Sequence, residues 1–91
     1  MDKKRLHLII QGKVQGVFFR ASTKEKASEL GLKGFVRNRE DGTVEVIAEG
    51  NKNQLQILAD WCHIGPDRST VDRVNTDWLP YAREFKEFTI N

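Results

Sequence analysis

The order in which two hydrophobic periods alternate along the chain constrains its fold more than any other feature. Apolar and polar residues alternate, as in a β-strand, over residues 6–11, 34–38, 43–49, 71–78 and 85–90. Two other stretches repeat apolar residues at helical spacing: residues 21–30 and the segment that follows Asn51. The chain therefore predicts the order β-α-β-β-α-β, with one further short strand at its end.

Residues between these segments favour the same division. Asn51 is predicted to cap the second helix with its side chain, and Gly65-Pro66 is predicted to close that helix. Gly31 is a natural stop for the first helix. Asp41-Gly42 predicts a hairpin between the second and third strands.

This element order is typical of the α+β class, and within it of the ferredoxin-like βαββαβ sandwich. We expect one antiparallel sheet with two helices on one face, plus a short C-terminal strand, in a single domain over residues 1–91. A right-handed crossover through the first helix makes the first two strands parallel, so their carboxyl ends lie at one edge. The loop after Gln11 and the residue Asn38 should therefore be neighbours.

The charge balance limits the kinds of partner. The chain has fifteen Lys and Arg residues and thirteen Asp and Glu residues, which are interspersed along it, and its net charge is +2. This favours a small anionic ligand and opposes a nucleic-acid partner, which usually requires a concentrated basic surface. The single cysteine, Cys62, excludes an internal disulfide and a cysteine metal cluster. No leader or membrane-spanning apolar run is visible, so we expect a cytoplasmic protein without a membrane partner.

The segment GKVQGVFFR, residues 12–20, lies between a predicted strand and a predicted helix. Its two glycines let the backbone curl, so that successive amides and the positive end of the helix can hold a phosphate. Arg20 would add a full charge and a planar fork of donors. From spacing alone, a tight turn followed by a solvent-facing arginine is an equal alternative.

This segment fits the first acylphosphatase signature, G-x-V-Q-G-V-x-[FY]-R, at every position. The run Gly34-Phe35-Val36-Arg37-Asn38, followed by Asp-Gly-Thr-Val-Glu and later Gly50, fits the second signature of that family. The order and spacing of both motifs fit over essentially the whole chain. The chain thus resembles the acylphosphatases, small cofactor-free hydrolases that act on acid anhydrides and cleave acyl phosphates into a carboxylate and inorganic phosphate.

The resemblance implies two catalytic residues, Arg20 binding the phosphate and Asn38 orienting water. The backbone amides implied to bind phosphate belong to Gln15, Gly16, Val17, Phe18, Phe19 and Arg20. It also implies no metal and no cofactor, a monomer, and inorganic phosphate as product and competitive inhibitor. By turn preferences alone Asn38 would more often cap its own turn, but it shares the parity of Val36 and so leans toward the first helix.

The chemistry of an acyl phosphate fits the absence of an obvious acid or base in these motifs. A carboxylate leaves readily, since the pKa of its acid is near 4. The enzyme then has only to hold the phosphoryl group and aim the water, which is positioning plus electrostatics. The resemblance implies that the phosphate of the substrate accepts the proton of the water.

Two further classes stay open, a non-catalytic phosphoanion-binding module and an RNA-binding ferredoxin-like module. RNA-recognition sheets present aromatic side chains to bases, whereas the residues predicted here to point outward from the first and third strands are His7, Ile9, Glu45, Ile47 and Glu49. We expect His7 and His63 to be non-catalytic, Cys62 to be a core thiol, and Phe18 and Phe19 to anchor the core.

Overall fold

The computed structural model describes residues 2–91, which form seven elements in the expected order. The strands and helices are β1 Lys3–Lys13, α1 Phe19–Glu29, β2 Lys33–Asn38, β3 Val44–Asn51, α2 Lys52–Cys62, β4 Thr70–Pro80 and β5 Phe88–Ile90. Each predicted element is present, with bounds displaced by a few residues. The last strand is shorter than expected because Phe85 does not join the sheet but packs edge-on against Phe35, with ring centroids 5.9 Å apart.

The five strands form one sheet in the order β4-β1-β3-β2-β5. β3 pairs antiparallel with both β1 and β2, so β1 and β2 run parallel to each other, as predicted. The four longer strands form the predicted antiparallel sheet, and the short C-terminal strand β5, whose pairing the sequence left open, pairs parallel to β2. The reason is directional: β4 ends where β2 begins, so a chain that returns from that end runs alongside β2 in the same sense.

The core lies between the sheet and the two helices. Alternate residues of β1 face it, and Leu6, Leu8 and Ile10 are fully buried. The helices contribute Phe19, Thr23, Ala27, Leu55, Leu58 and Cys62. Burial raises the pKa of the Cys62 thiol to about 12, so this cysteine is the core thiol that the sequence predicts.

The opposite face of the sheet is less open than the sequence suggests. Glu49 was expected to point into solvent, but it is only 3% exposed. Its carboxylate accepts hydrogen bonds from the backbone N–H groups of Ala82 and Glu84 and from Arg5 Nε. The segment after β4 folds back over this end of the sheet, and that segment carries no periodic pattern from which such a cover could be predicted.

Candidate active site

The loop between β1 and α1 has an irregular backbone. Gly16 and Phe18 both take left-handed conformations, with φ of 72° and 63°. Phe18 is the N-cap of α1, makes no side-chain capping bond, and is followed by a first turn without acidic residues. The amino end of α1 therefore keeps its partial positive charge and its N–H groups without a side-chain cap, which is the arrangement that binds anions.

Arg20 lies in the first turn of α1 and is half-buried. Its guanidinium makes no ion pair with any carboxylate of residues 2–91. By contrast, Arg5 and Arg37 are both paired with glutamates on the sheet. Arg20 therefore adds an uncompensated full charge to the helix end, with donors in a planar fork.

Asn38 is the last residue of β2. Its side-chain oxygen Oδ1 is buried and has no hydrogen-bond partner within the part of the chain that the structure describes. Val36, two positions earlier on the same face of the strand, is fully buried under the helices. Because buried polar atoms are nearly always paired, an unpaired acceptor of this kind indicates a ligand or water at the site.

A cavity of about 330 Å³ brings these elements together. Its lining residues are Val14, Gly16, Phe18, Phe19, Arg20, Ala21, Asn38 and Ile90. Arg20 and Asn38 both line this cavity although they are 18 positions apart, since the ends of the parallel strands β1 and β2 emerge at the same edge of the sheet. Two of the residues named from the sequence, Gln15 and Val17, do not line the cavity.

Gln15 instead ties the loop to the β2–β3 turn. Its Nε2 group donates to the carbonyl oxygens of Arg39, at 2.8 Å, and Thr43, at 2.9 Å. Asp41 Oδ1 holds the same turn by accepting from the Thr43 hydroxyl and backbone N–H, and these bonds keep the pKa of Asp41 below its ordinary value. Val17 is buried, so the loop is anchored by one side chain to the turn and by another to the core.

The cavity has an apolar side that the sequence did not reveal. The prediction that Phe18 anchors the core is wrong, because its side chain is 73% exposed. The left-handed backbone turns it outward, while Phe19 packs inward with its ring centroid 5.6 Å from that of Trp61. Ile90 was missed because it reaches the cavity through the pairing of β5 with β2, for which no local sequence signal exists.

The two histidines lie outside this cavity. His7 Nε2 is 2.7 Å from Glu45 Oε2 on the opposite face of the sheet, and His63 Nδ1 is 2.8 Å from the Ala59 carbonyl oxygen. Among the described residues, no group of three or more His, Cys, Asp or Glu side chains is arranged to hold a metal ion. None of the helices formed by residues 2–91 is both long and apolar enough to cross a membrane.

Comparisons with known proteins agree in one family. The family model described as Acylphosphatase matches residues 6–90. A protein named acylphosphatase from Marinobacter nauticus is 54% identical over 88 residues, which cover 97% of this chain and 96% of that protein. An acylphosphatase structure from Coxiella burnetii superposes with a TM-score of 0.93 at 37% identity, covering 99% of this chain and 94% of its own. An acylphosphatase structure from Bacillus subtilis superposes with a TM-score of 0.93 at 33% identity, covering 97% of this chain and 98% of its own.

Proposed function

Since the chain belongs to the acylphosphatase family and shares its enzymatic activity, we propose that acyl phosphates are hydrolysed in the cavity that Arg20 and Asn38 share. One observation carries this proposal: Asn38, whose side-chain Oδ1 is buried and unpaired, lines the same cavity as Arg20, which has no carboxylate partner among residues 2–91. Asn38 Oδ1 lacks a hydrogen-bond donor, and the Arg20 guanidinium lacks an anion. A phosphoryl group together with a water molecule supplies both.

The phosphoryl group binds at the amino end of α1. Backbone N–H groups of residues 15–20 donate to its oxygens, and Arg20 donates through its guanidinium fork. Gln15 and Val17 contribute through the backbone alone, because the Gln15 side chain holds the β2–β3 turn and the Val17 side chain is buried. Donors already fixed in place stabilise the charge that develops on the phosphoryl oxygens without further reorganisation.

The attacking water is held by Asn38. Its Oδ1 accepts one hydrogen of the water, which leaves a lone pair of the water oxygen free to attack phosphorus. As the new P–O bond forms, the bond to the acyl oxygen breaks and its electron pair leaves on the carboxylate. The second proton of the water passes to an oxygen of the phosphoryl group, so the products are a carboxylate and inorganic phosphate.

All the residues that line the cavity belong to one domain. We further propose that residues 1–91 act as this single domain, as a monomer, in the cytoplasm. Inorganic phosphate shares the group that the α1 end recognises, so it competes with substrate. The RNA-binding alternative is not favoured, because His7 and Arg37 both pair with Glu45 on the sheet face that RNA would use.

Turnover by chelator-treated protein tests this function. We expect hydrolysis of acetyl phosphate to continue, because Arg20 supplies the positive charge, and a phosphate monoester of a simple alcohol to react far more slowly, because its alkoxide needs an acid that the cavity lacks. Inorganic phosphate should inhibit competitively. Loss of activity on chelation, restored by a divalent ion, or similar rates on both substrates, would contradict the proposal.

A further inference from the structure

The candidate site is larger than its proposed phosphate-binding part. The cavity is open to solvent on one side, and its volume of about 330 Å³ is more than a phosphoryl group and one water require. The remaining wall includes the side chains of Phe18 and Ile90, which we call the apolar wall. We propose that the apolar wall is an acyl-binding subsite that favours substrates with a bulky apolar, above all aromatic, acyl group; this proposal rests on the function proposed above.

The conformation of Phe18 is unfavourable for a residue of its type. Its φ and ψ are 63° and 20°, a left-handed conformation that is an outlier for a bulky side chain. Residues with a small or polar side chain are preferred at helix N-caps. With 73% of the side chain exposed, little burial compensates for this strain in the free protein. The strained backbone is accounted for by the anion-binding loop, whereas the exposed ring that it carries gains no packing from the protein and is available to a ligand.

Ile90 is fixed beside the cavity by the sheet. It lies opposite Val36 in the parallel pairing of β5 with β2, and the backbone N–H of Asn91 donates to the Val36 carbonyl oxygen at 2.9 Å. Phe88, two positions earlier and on the same face, is buried, yet Ile90 is 41% exposed at the cavity. An apolar side chain held by a backbone hydrogen bond and left open to the site can cover part of a ligand at little entropic cost.

The covalent structure of the substrate links the two halves of the site. With the phosphoryl group at the end of α1, the acyl group has to lie within the rest of the same cavity or at its mouth. Phe18 belongs to the loop proposed to hold the phosphoryl group and lines the same cavity, so an acyl group attached to that phosphoryl group can reach its ring. An aromatic acyl group can stack on that ring or meet its edge, and it loses apolar surface to water in doing so.

The test measures kcat/KM for benzoyl phosphate and for acetyl phosphate on the wild type, Phe18→Ala and Ile90→Ala. We expect the benzoyl-to-acetyl ratio to fall by about tenfold in each variant, the lower end of what an altered apolar contact contributes in an enzyme pocket. Comparing ratios between variants cancels the different intrinsic reactivities of the two substrates. Phe18→Leu, which keeps an apolar side chain, should retain most of the ratio.

Ile57→Ala is the matched control, since Ile57 is 44% exposed on α2 and does not line the cavity. Its ratio should equal that of the wild type. Wild-type ratios in both Phe18→Ala and Ile90→Ala would overturn the subsite while turnover of acetyl phosphate still upheld the function. A wild-type protein that hydrolyses neither substrate would overturn the function, and the subsite with it.

Discussion

At the scale of single residues, the buried Oδ1 atom of Asn38 distinguishes a side chain that caps its own turn from one that positions a water molecule. If Asn38 capped its own turn, its oxygen would accept a backbone N–H nearby. The turn is instead closed by the bond from Arg39 N–H to the Thr43 carbonyl oxygen and by Asp41, and Asn38 Oδ1 has no partner among residues 2–91. A buried acceptor without a partner lowers the stability of the folded protein, so the capping interpretation loses its support.

Asn38→Ala should therefore separate catalysis from stability. We expect kcat to fall by about 10² or more, as for other preorganised groups, and inhibition by phosphate to stay near the wild-type value, because the aimed water acts only in the transition state. The free energy of unfolding should not decrease, since no protein hydrogen bond of Oδ1 is lost. Steady-state kinetics and urea denaturation measure both quantities on the one variant.

Asn53→Ala, at an exposed position of α2, is the control and should leave kcat unchanged. A folded Asn38→Ala protein with near-normal kcat would end the water-positioning role. A loss of about 1 kcal/mol in unfolding free energy, typical of a lost side-chain cap, would restore the capping interpretation.

Arg20 is proposed to bind the phosphoryl group, so its loss should affect binding as well as turnover. Arg20→Ala should lower kcat/KM by about 10² to 10³ and weaken inhibition by inorganic phosphate. Arg20→Lys should recover little, because a point charge lacks the bidentate fork. Arg68→Ala, which removes an exposed arginine outside the cavity, provides the comparison for a general loss of charge. Undiminished phosphate inhibition in Arg20→Ala would remove this residue from the site.

At the scale of elements, the site depends on how the β1–α1 loop is held against the β2–β3 turn. Both hydrogens of the Gln15 amide are used, one on the carbonyl oxygen of Arg39 and one on that of Thr43. Arg39 directly follows Asn38, so this one amide fixes the loop that precedes Arg20 relative to Asn38, the residue proposed to hold the water. An error of about 1 Å in such a placement can reduce a rate by ~10²-fold.

Gln15→Glu tests this tie. An ionised carboxylate cannot donate to two carbonyl oxygens, so kcat near pH 7 should fall by about 10- to 100-fold. Lowering the pH protonates the new carboxyl group and restores one donor, so activity relative to the wild type at the same pH should partly recover. Gln15→Ala should lose activity without that recovery, which distinguishes a missing donor from general damage.

Gln56→Ala on α2, where the amide donates to Asp60 of the same helix, is the matched control. Normal kcat for Gln15→Glu at neutral pH would show that the loop and the turn keep their relative position without the tie.

At the scale of the whole molecule, Glu49 joins parts of the chain that are far apart in sequence. Its carboxylate, on β3, accepts hydrogen bonds from Arg5 of β1 and from the backbone N–H groups of Ala82 and Glu84. Burial alone would raise the pKa of Glu49, but these donors outweigh it and hold the pKa below its ordinary value. A carboxylate with a lowered pKa stabilises the fold in its ionised form, and that stabilisation is lost as the pH falls through its folded-state pKa.

The free energy of unfolding should therefore decrease as the pH is lowered below about 5, the range in which free glutamates begin to protonate. Glu49→Gln should be less stable than the wild type at pH 7 by about 1–3 kcal/mol, because an amide cannot satisfy all these donors. Its stability should also vary less with pH below 5. Urea denaturation at several pH values measures the free energy of unfolding of both proteins, and Glu87→Gln, at an exposed position, is the control. An unchanged pH dependence would show that Glu49 does not contribute to acid unfolding.

Much of this molecule follows from local patterns in the sequence. Alternating and helical periods predict each element, and with it which residues of β1 and α2 face the core. The crossover rule then brings the loop after β1 and Asn38, at the end of β2, to one edge of the sheet. The resemblance to the acylphosphatases singled out Arg20 and Asn38 there as the candidate catalytic residues.

The tertiary structure alone decided the features that rest on contacts between distant segments or on single backbone angles. The parallel pairing of β5 brings Ile90 to the cavity, and the segment after β4 buries Glu49. The left-handed conformation of Phe18 turns its ring outward although an aromatic residue usually indicates core. Periodicity reports which face of its own element a residue occupies, whereas these outcomes depend on which other segment arrives there, and only the assembled chain determines that.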